Sequence, residues 1–132
     1  MGRKYFKALI EPKFVTIEEA VWMKDEINVV AVNIGDEARI YPVALLRRHE
    51  VVNDVVGGGP VFSCFCMLSN LGAVYDCQSH EFTFGVSGYT YGKFKVWEAR
   101  QAFVLWDRDT ESLWWPPIGK AISGPMINRR IE

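Results

Sequence analysis

The stretch His49-Glu50-Val51-Val52-Asn53-Asp54 gathers four polar side chains around two valines, and these residue types can carry acid–base chemistry or hold a metal. Imidazole titrates near neutrality and ligates metals, and a neighbouring carboxylate can fix its tautomer. A spacing of four is even and is also close to one helical turn. On a strand or a helix alike, His49 shares a face with Asn53, and Glu50 shares one with Asp54. The zinc-protease pattern His-Glu-x-x-His is absent, because Asn53 stands where the second histidine would be. The same residues also have a structural reading. His49 closes a predicted helix, where a ring N–H can satisfy terminal carbonyls, and Asn53-Asp54 ahead of Val55-Val56-Gly57 is ordinary turn chemistry.

Cys64 and Cys66 lie two apart in a strand pattern and so face one side, and a hairpin turning at Leu68 to Leu71 would bring Cys77 toward that side. A reactive Cys66 or a three-thiol metal cluster is conceivable. A structural zinc, however, wants four ligands, so His49 or His80 would have to complete the set. Cysteine in a strand also serves as a small buried hydrophobe. Three closely spaced cysteines are an odd number, which argues against a secreted disulfide framework and for reduced thiols.

Other motifs carry less. Gly85-Val86-Ser87-Gly88 lacks the spacing of a nucleophile elbow. Gly57-Gly58-Gly59 is followed by Pro60 rather than by a helix N-terminus, so it cannot cradle phosphate. Asp107-Arg108-Asp109-Thr110-Glu111 lacks the ligand alternation and central glycine of a calcium loop and reads as a turn with a local ion pair. His80 reads as exposed in a polar turn, and Trp114-Trp115-Pro116-Pro117 as the place for an exposed aromatic patch.

The elements that must position these groups follow from local pattern. Thr16-Ile17-Glu18-Glu19 fits a capping box and predicts a short helix ending near Lys24 or Asp25. Asn28 to Ile34 and Glu37 to Tyr41 alternate about Gly35-Asp36, the pair a type II′ hairpin needs. Pro42 followed by Val43-Ala44-Leu45-Leu46 and Arg47-Arg48-His49 predicts a second short helix with cations at its C-terminal end. Gly57-Gly58-Gly59-Pro60 then breaks regular structure. Strands are predicted over Val61–Met67, Gly72–Cys77, Glu81–Val86, Lys93–Trp97, Ala102–Trp106 and Ser112–Trp115. The expected fold is mostly β, of the α+β class. It would be a bent antiparallel sheet or partly closed barrel, with the two short N-terminal helices covering one end, in a single domain over residues 1–132.

A length of 132 residues with 49% apolar types suits one packed core. Fifteen Lys and Arg against sixteen Asp and Glu remove the electrostatic footprint of a nucleic-acid binder. No run approaches the roughly 20 apolar residues of a membrane span, and Arg3, Lys4 and Lys7 interrupt the N-terminus, so neither a transmembrane helix nor a signal peptide is expected. By default the chain stays soluble in the cytoplasm.

Several motifs in order resemble the domain-of-unknown-function family numbered 3179. Pro12-Lys13-Phe14-Val15 resembles its opening segment, and Gly35 through Ala38-Arg39-Ile40-Tyr41-Pro42 resembles its Gly-x-x-Ala-Arg-x-Tyr-Pro stretch. His49-Glu50-Val51-Val52-Asn53-Asp54 with Gly57-Gly58 resembles its His-Glu-hydrophobic-Val-Asn-Asp hallmark. Phe84 to Gly88 and Asp107 to Trp114 resemble two later signatures. Relatives carry Tyr-Cys-Pro-Leu-Cys-Gly where this chain has Phe65-Cys66-Met67-Leu68-Ser69-Asn70, which keeps the first cysteine and loses the second. The resemblance implies no activity. The residues support a small enzyme or metal-dependent redox protein with catalytic candidates His49, Glu50, Asn53, Asp54 and Cys66. The alternative is a non-catalytic binding or scaffolding module in which those residues are structural. Cofactor and oligomeric state are left open, with an unidentified small molecule or metal as the candidate partner.

Overall fold

The computed structural model describes residues 6–77, 82–91 and 102–131. Ten strands run in chain order: β1 Leu9–Ile10, β2 Val29–Ile34, β3 Glu37–Pro42, β4 Val51–Val56, β5 Gly59–Cys66, β6 Leu71–Asp76, β7 Phe84–Tyr91, β8 Ala102–Asp107, β9 Leu113–Trp115 and β10 Lys120–Ser123. One α-helix, α1 Val43–His49, lies between β3 and β4, and a 3-10 turn over Pro116–Ile118 precedes β10.

Local chemistry accounts for most of these boundaries. Gly35 has φ +60° while Asp36 keeps a negative φ, which is the type II′ pattern and gives a twist matching the flanking strands. Pro42 ends β3 and caps α1 with φ −59°, and Arg47, Arg48 and His49 occupy the last helical turn, where cations oppose the dipole. Gly57 and Gly58, at φ +61° and +80°, form the tight turn of the β4–β5 hairpin. A Cβ on Gly57 would come within 2.4 Å of the Ile34 side chain, so the hairpins pack too closely there for any other residue. The glycine run therefore turns the chain within one sheet, and Gly59 and Pro60 belong to β5 rather than to a break.

The strands form three sets: a sheet in the order β1-β4-β5-β6, a sheet in the order β10-β9-β8-β7, and the separate hairpin β2-β3. All pairs are antiparallel except β1 with β4. One hydrophobic cluster joins Val51, Phe62, Cys64 and Cys66 of the first sheet to Phe84, Val86, Leu105 and Trp114 of the second. The other lies on the opposite face, where Val52 and Phe65 meet Tyr41, Val43 and Leu46. The first sheet is thus covered on both sides, which is why β4 and β5 are buried along nearly their whole length instead of alternating.

The layered arrangement corrects the expected partly closed barrel: the described sheets are open, and each has two edge strands. The first of the two predicted helices is also absent. Its capping box does form, with the Thr16 N–H donating to Glu19 Oε2 at 2.9 Å and the Glu19 N–H to Thr16 Oγ1 at 3.3 Å. Only isolated turns follow. Helix nucleation is unfavourable without an apolar face to bury, and of this segment Ala20 is buried while Ile17, Val21 and Trp22 are exposed. The predicted strand Lys93–Trp97 and the His80 turn lie outside the described residues.

Asn53 joins the two sheets. Its side chain pairs with both backbone groups of Phe84 in β7, Nδ2 donating to the Phe84 carbonyl at 2.8 Å while Oδ1 accepts from the Phe84 N–H at 2.7 Å. Nδ2 also reaches the Leu9 carbonyl of β1 at 3.2 Å. Replacement by alanine leaves a buried donor and acceptor of Phe84 unsatisfied. The expected loss for Asn53→Ala is about 2–4 kcal/mol in urea unfolding, against no more than about 0.5 kcal/mol for Val55→Ala at an exposed position of the same strand.

Candidate functional site

His49 sits at the end of α1, and its Nδ1–H donates to the Lys7 carbonyl at 2.7 Å. His49 and Asn53 therefore both hold the N-terminal segment, at Lys7 and Leu9. This is structural use of two side chains that also carry catalytic potential.

Asp54 faces the opposite layer. The Tyr41 hydroxyl donates to its Oδ2 at 2.8 Å, and the Val55 N–H donates to Oδ1 at 2.8 Å. Arg39 Nε lies 3.8 Å from the same Oδ2. The Arg39 guanidinium pairs with Glu37, whose second oxygen accepts from the Gly57 N–H at 2.7 Å. It also stacks 4.7 Å above the Phe14 ring, a cation–π contact. Burial, and then the bond to the Asp54 carboxylate, raise the Tyr41 hydroxyl far above its usual titration range. Glu37, Arg39 and Tyr41 were not among the sequence candidates. The available signal was Arg39 and Tyr41 two apart on β3, a charge and a phenol sharing one face with an apolar surround.

Glu50 is set apart from the others. It ends α1 with φ +61°, unusual for a residue with a Cβ, and its N–H donates to the Leu46 carbonyl at 2.6 Å. Its side chain is buried, and no hydrogen-bond or ion-pair partner is found for it among the described residues. Burial pushes its carboxyl up to about 7. Its charge in turn raises the Cys64 thiol, although burial and the nearby Cys66 do more, carrying Cys64 to about 12. Asp54 is engaged by Tyr41 on the hairpin side, whereas Glu50 is near enough to Cys64 for its charge to be felt there. Glu50 precedes β4 with a positive φ, so the strand alternation that relates residues 51–56 does not extend to it.

Cys64 and Cys66 share the inter-sheet face of β5, as their spacing predicts, about 7 Å apart by strand rise. That separation is too wide for a disulfide between them. Cys66 Sγ accepts from the Phe103 N–H of β8 at 3.4 Å. Cys77 falls opposite Pro60, four residues along β5 from Cys64, or about 13 Å, so the register keeps it out of any cluster. Among the described residues no group of three or more His, Cys, Asp or Glu could hold a metal ion. Ser69 has a buried hydroxyl without a hydrogen-bond partner in the described structure.

Trp114 is buried in the core rather than exposed, and its indole N–H donates to Asp107 Oδ2 at 2.8 Å. Exposed apolar side chains instead gather in the segment that precedes β2, at Phe14, Val15, Ile17, Val21 and Trp22. A groove of about 600 Å³ runs between the segment Lys13–Met23 and β3, walled by Phe14, Ile17, Trp22, Met23, Ile40 and Pro42. Arg39 lines it as well, so the Arg39–Tyr41–Asp54 network stands directly beneath the groove.

A layered, mostly β chain whose motif residues brace its own strands defines a class by architecture rather than by chemistry. The chain belongs to the family described as Protein of unknown function (DUF3179), whose model matches residues 6–132. No curated protein and no solved structure matches it. No helix among the described residues is long and apolar enough to cross a membrane.

The raised titration of Glu50 has a measurable sign. Its carboxyl binds a proton more tightly folded than unfolded, so the associated stability is full below about pH 4.5 and is lost as pH rises through about 7. Ionising Glu50 in the fold is then expected to lower stability by about 3 kcal/mol. Glu50→Gln is expected to raise the melting temperature at pH 8 and to leave it nearly unchanged at pH 4.5, as followed by circular dichroism.

Proposed function

We propose that the chain is one non-catalytic binding domain in which the hallmark residues hold the fold and the groove over Arg39 receives the ligand. The observation that carries this reading is the engagement of His49, Asn53 and Asp54. Each has partners within the fold, at the Lys7 carbonyl, the Phe84 peptide and the Tyr41 hydroxyl. The groove, by contrast, presents apolar side chains to solvent on a segment that its own turns keep ordered, and Trp22 remains 54% exposed. Exposed apolar patches of this kind mark interaction sites.

An apolar fluorophore such as Nile red reads the groove directly. Trp22→Ser is expected to weaken its binding by roughly tenfold, the equivalent of about 1.4 kcal/mol, while stability stays within about 0.5 kcal/mol of the parent. Unchanged dye binding in the Trp22→Ser protein would sink the reading.

A second reading keeps a small catalytic centre at Glu50, Cys64 and Cys66, without Asp54, which faces the other layer. It is favoured by the buried Glu50 carboxyl without a side-chain partner in the described structure and by its electrostatic coupling to Cys64. The two readings differ in thiol access. As a binding domain, the native protein keeps reduced thiols that iodoacetamide labels only on unfolding, since Cys64 and Cys66 are at most 3% exposed. Fast native labelling of Cys66, slowed in Glu50→Gln, would instead support the catalytic centre.

A further inference from the structure

The charged side chains lining the groove are Lys13, Glu19 and Arg39. Their hydrogen-bonding capacity is unevenly spent. Glu19 Oε2 already accepts from the Thr16 N–H within the capping box. Glu37 and Asp54, the carboxylates beside Arg39, do not line the groove, and each has both oxygens engaged: those of Glu37 by Arg39 and the Gly57 N–H, those of Asp54 by Tyr41 and the Val55 N–H. Donors, by contrast, remain. Lys13 makes no ion pair or hydrogen bond among the described residues. Arg39 turns Nη2 toward Glu37 and Nη1 toward the Ala38 carbonyl at 3.4 Å. A guanidinium carries a pair of N–H groups on each Nη, so one on each is left without a partner among the described residues. The Phe14 ring covers a face of that guanidinium, whereas the N–H groups point outward in its plane, so the stacking leaves them open.

We infer that the groove takes a free small molecule with an apolar body and one anionic head, a carboxylate held between Arg39 and Lys13. The inference rests on the binding reading and names its ligand class. A volume of about 600 Å³ is that of a small-molecule site, and walls formed by Phe14, Ile17, Trp22 and Met23 suit an alkyl or aryl body. The head sets the orientation. A planar carboxylate matches the fork of Arg39 on β3, and Lys13 adds a point charge from the segment forming the other wall. A cationic head would meet two like charges and find only Glu19 to pair with.

Decanoate, decanol and decyltrimethylammonium share one alkyl chain and differ in the head, so they test the inference on the native protein. Each is used below micelle formation to displace Nile red. Decanoate is expected to act at a roughly tenfold lower concentration than decanol, with decyltrimethylammonium the weakest. That preference should fall severalfold in Lys13→Gln, at an exposed position without fold contacts, and in Arg39→Lys, which keeps the charge and loses the fork. The comparison of heads needs no variant, so it stands even where Arg39→Lys does not fold. Equal displacement by all three, or a preference for the ammonium, would overturn the inference and leave the groove a binding site. An anion preference retained in full by Lys13→Gln would do the same. So would tighter binding to phosphatidylserine vesicles than to decanoate, because the groove would then belong to a lipid surface. Dye binding that ignores Trp22→Ser rejects the binding reading itself.

Discussion

Adjacent residues of a strand face opposite ways, and at Asn53-Asp54 both faces of β4 are covered. This constraint organises the molecule. Asn53 is directed into the contact between the two four-stranded sheets and grips the Phe84 peptide, while Asp54 is directed into the hairpin layer and grips Tyr41. Two consecutive polar residues thus lock two different layers to the same central strand. Neither face can shift register without leaving a buried polar group unsatisfied, which is far more unfavourable than a lost surface contact.

The hairpin Val29–Pro42 and the helix Val43–His49 are legible from sequence, because glycine at the turn and proline at the cap act within a few residues. The strands from β5 onward are legible in outline for the same reason. What escapes is everything decided at long range. The Thr16–Glu19 box forms its two hydrogen bonds and still leads into no helix, since whether a helix grows depends on a packing surface that no local pattern reports. The two-sided burial of β4 and β5 removes the alternation that would have named their faces. Within the candidate site, the hallmark's importance is visible but its division between layers is not. Arg39 and Tyr41 become meaningful only when the hairpin lies over Asp54.

Glu50 stands outside this pattern of satisfied polar groups. It combines a positive φ with a buried carboxyl at the junction where α1 hands the chain to β4. Strained and desolvated positions of this kind persist where the surrounding structure holds them. The surroundings here are the Leu46 carbonyl beneath its N–H and the Phe65 N–H donating to its own carbonyl at 3.1 Å, so the backbone is secured on both sides of the buried side chain.

The Asn53 bridge to Phe84 also bears on how the chain assembles. The turns at Gly35-Asp36 and Gly57-Gly58 close from neighbours in sequence and need little chain entropy to form. The bridge spans 31 residues. Closing the contact between the two sheets therefore carries a larger loop-closure cost than closing either hairpin turn. A side chain that makes three hydrogen bonds in the finished structure thus ties the N-terminal strand and both four-stranded sheets together.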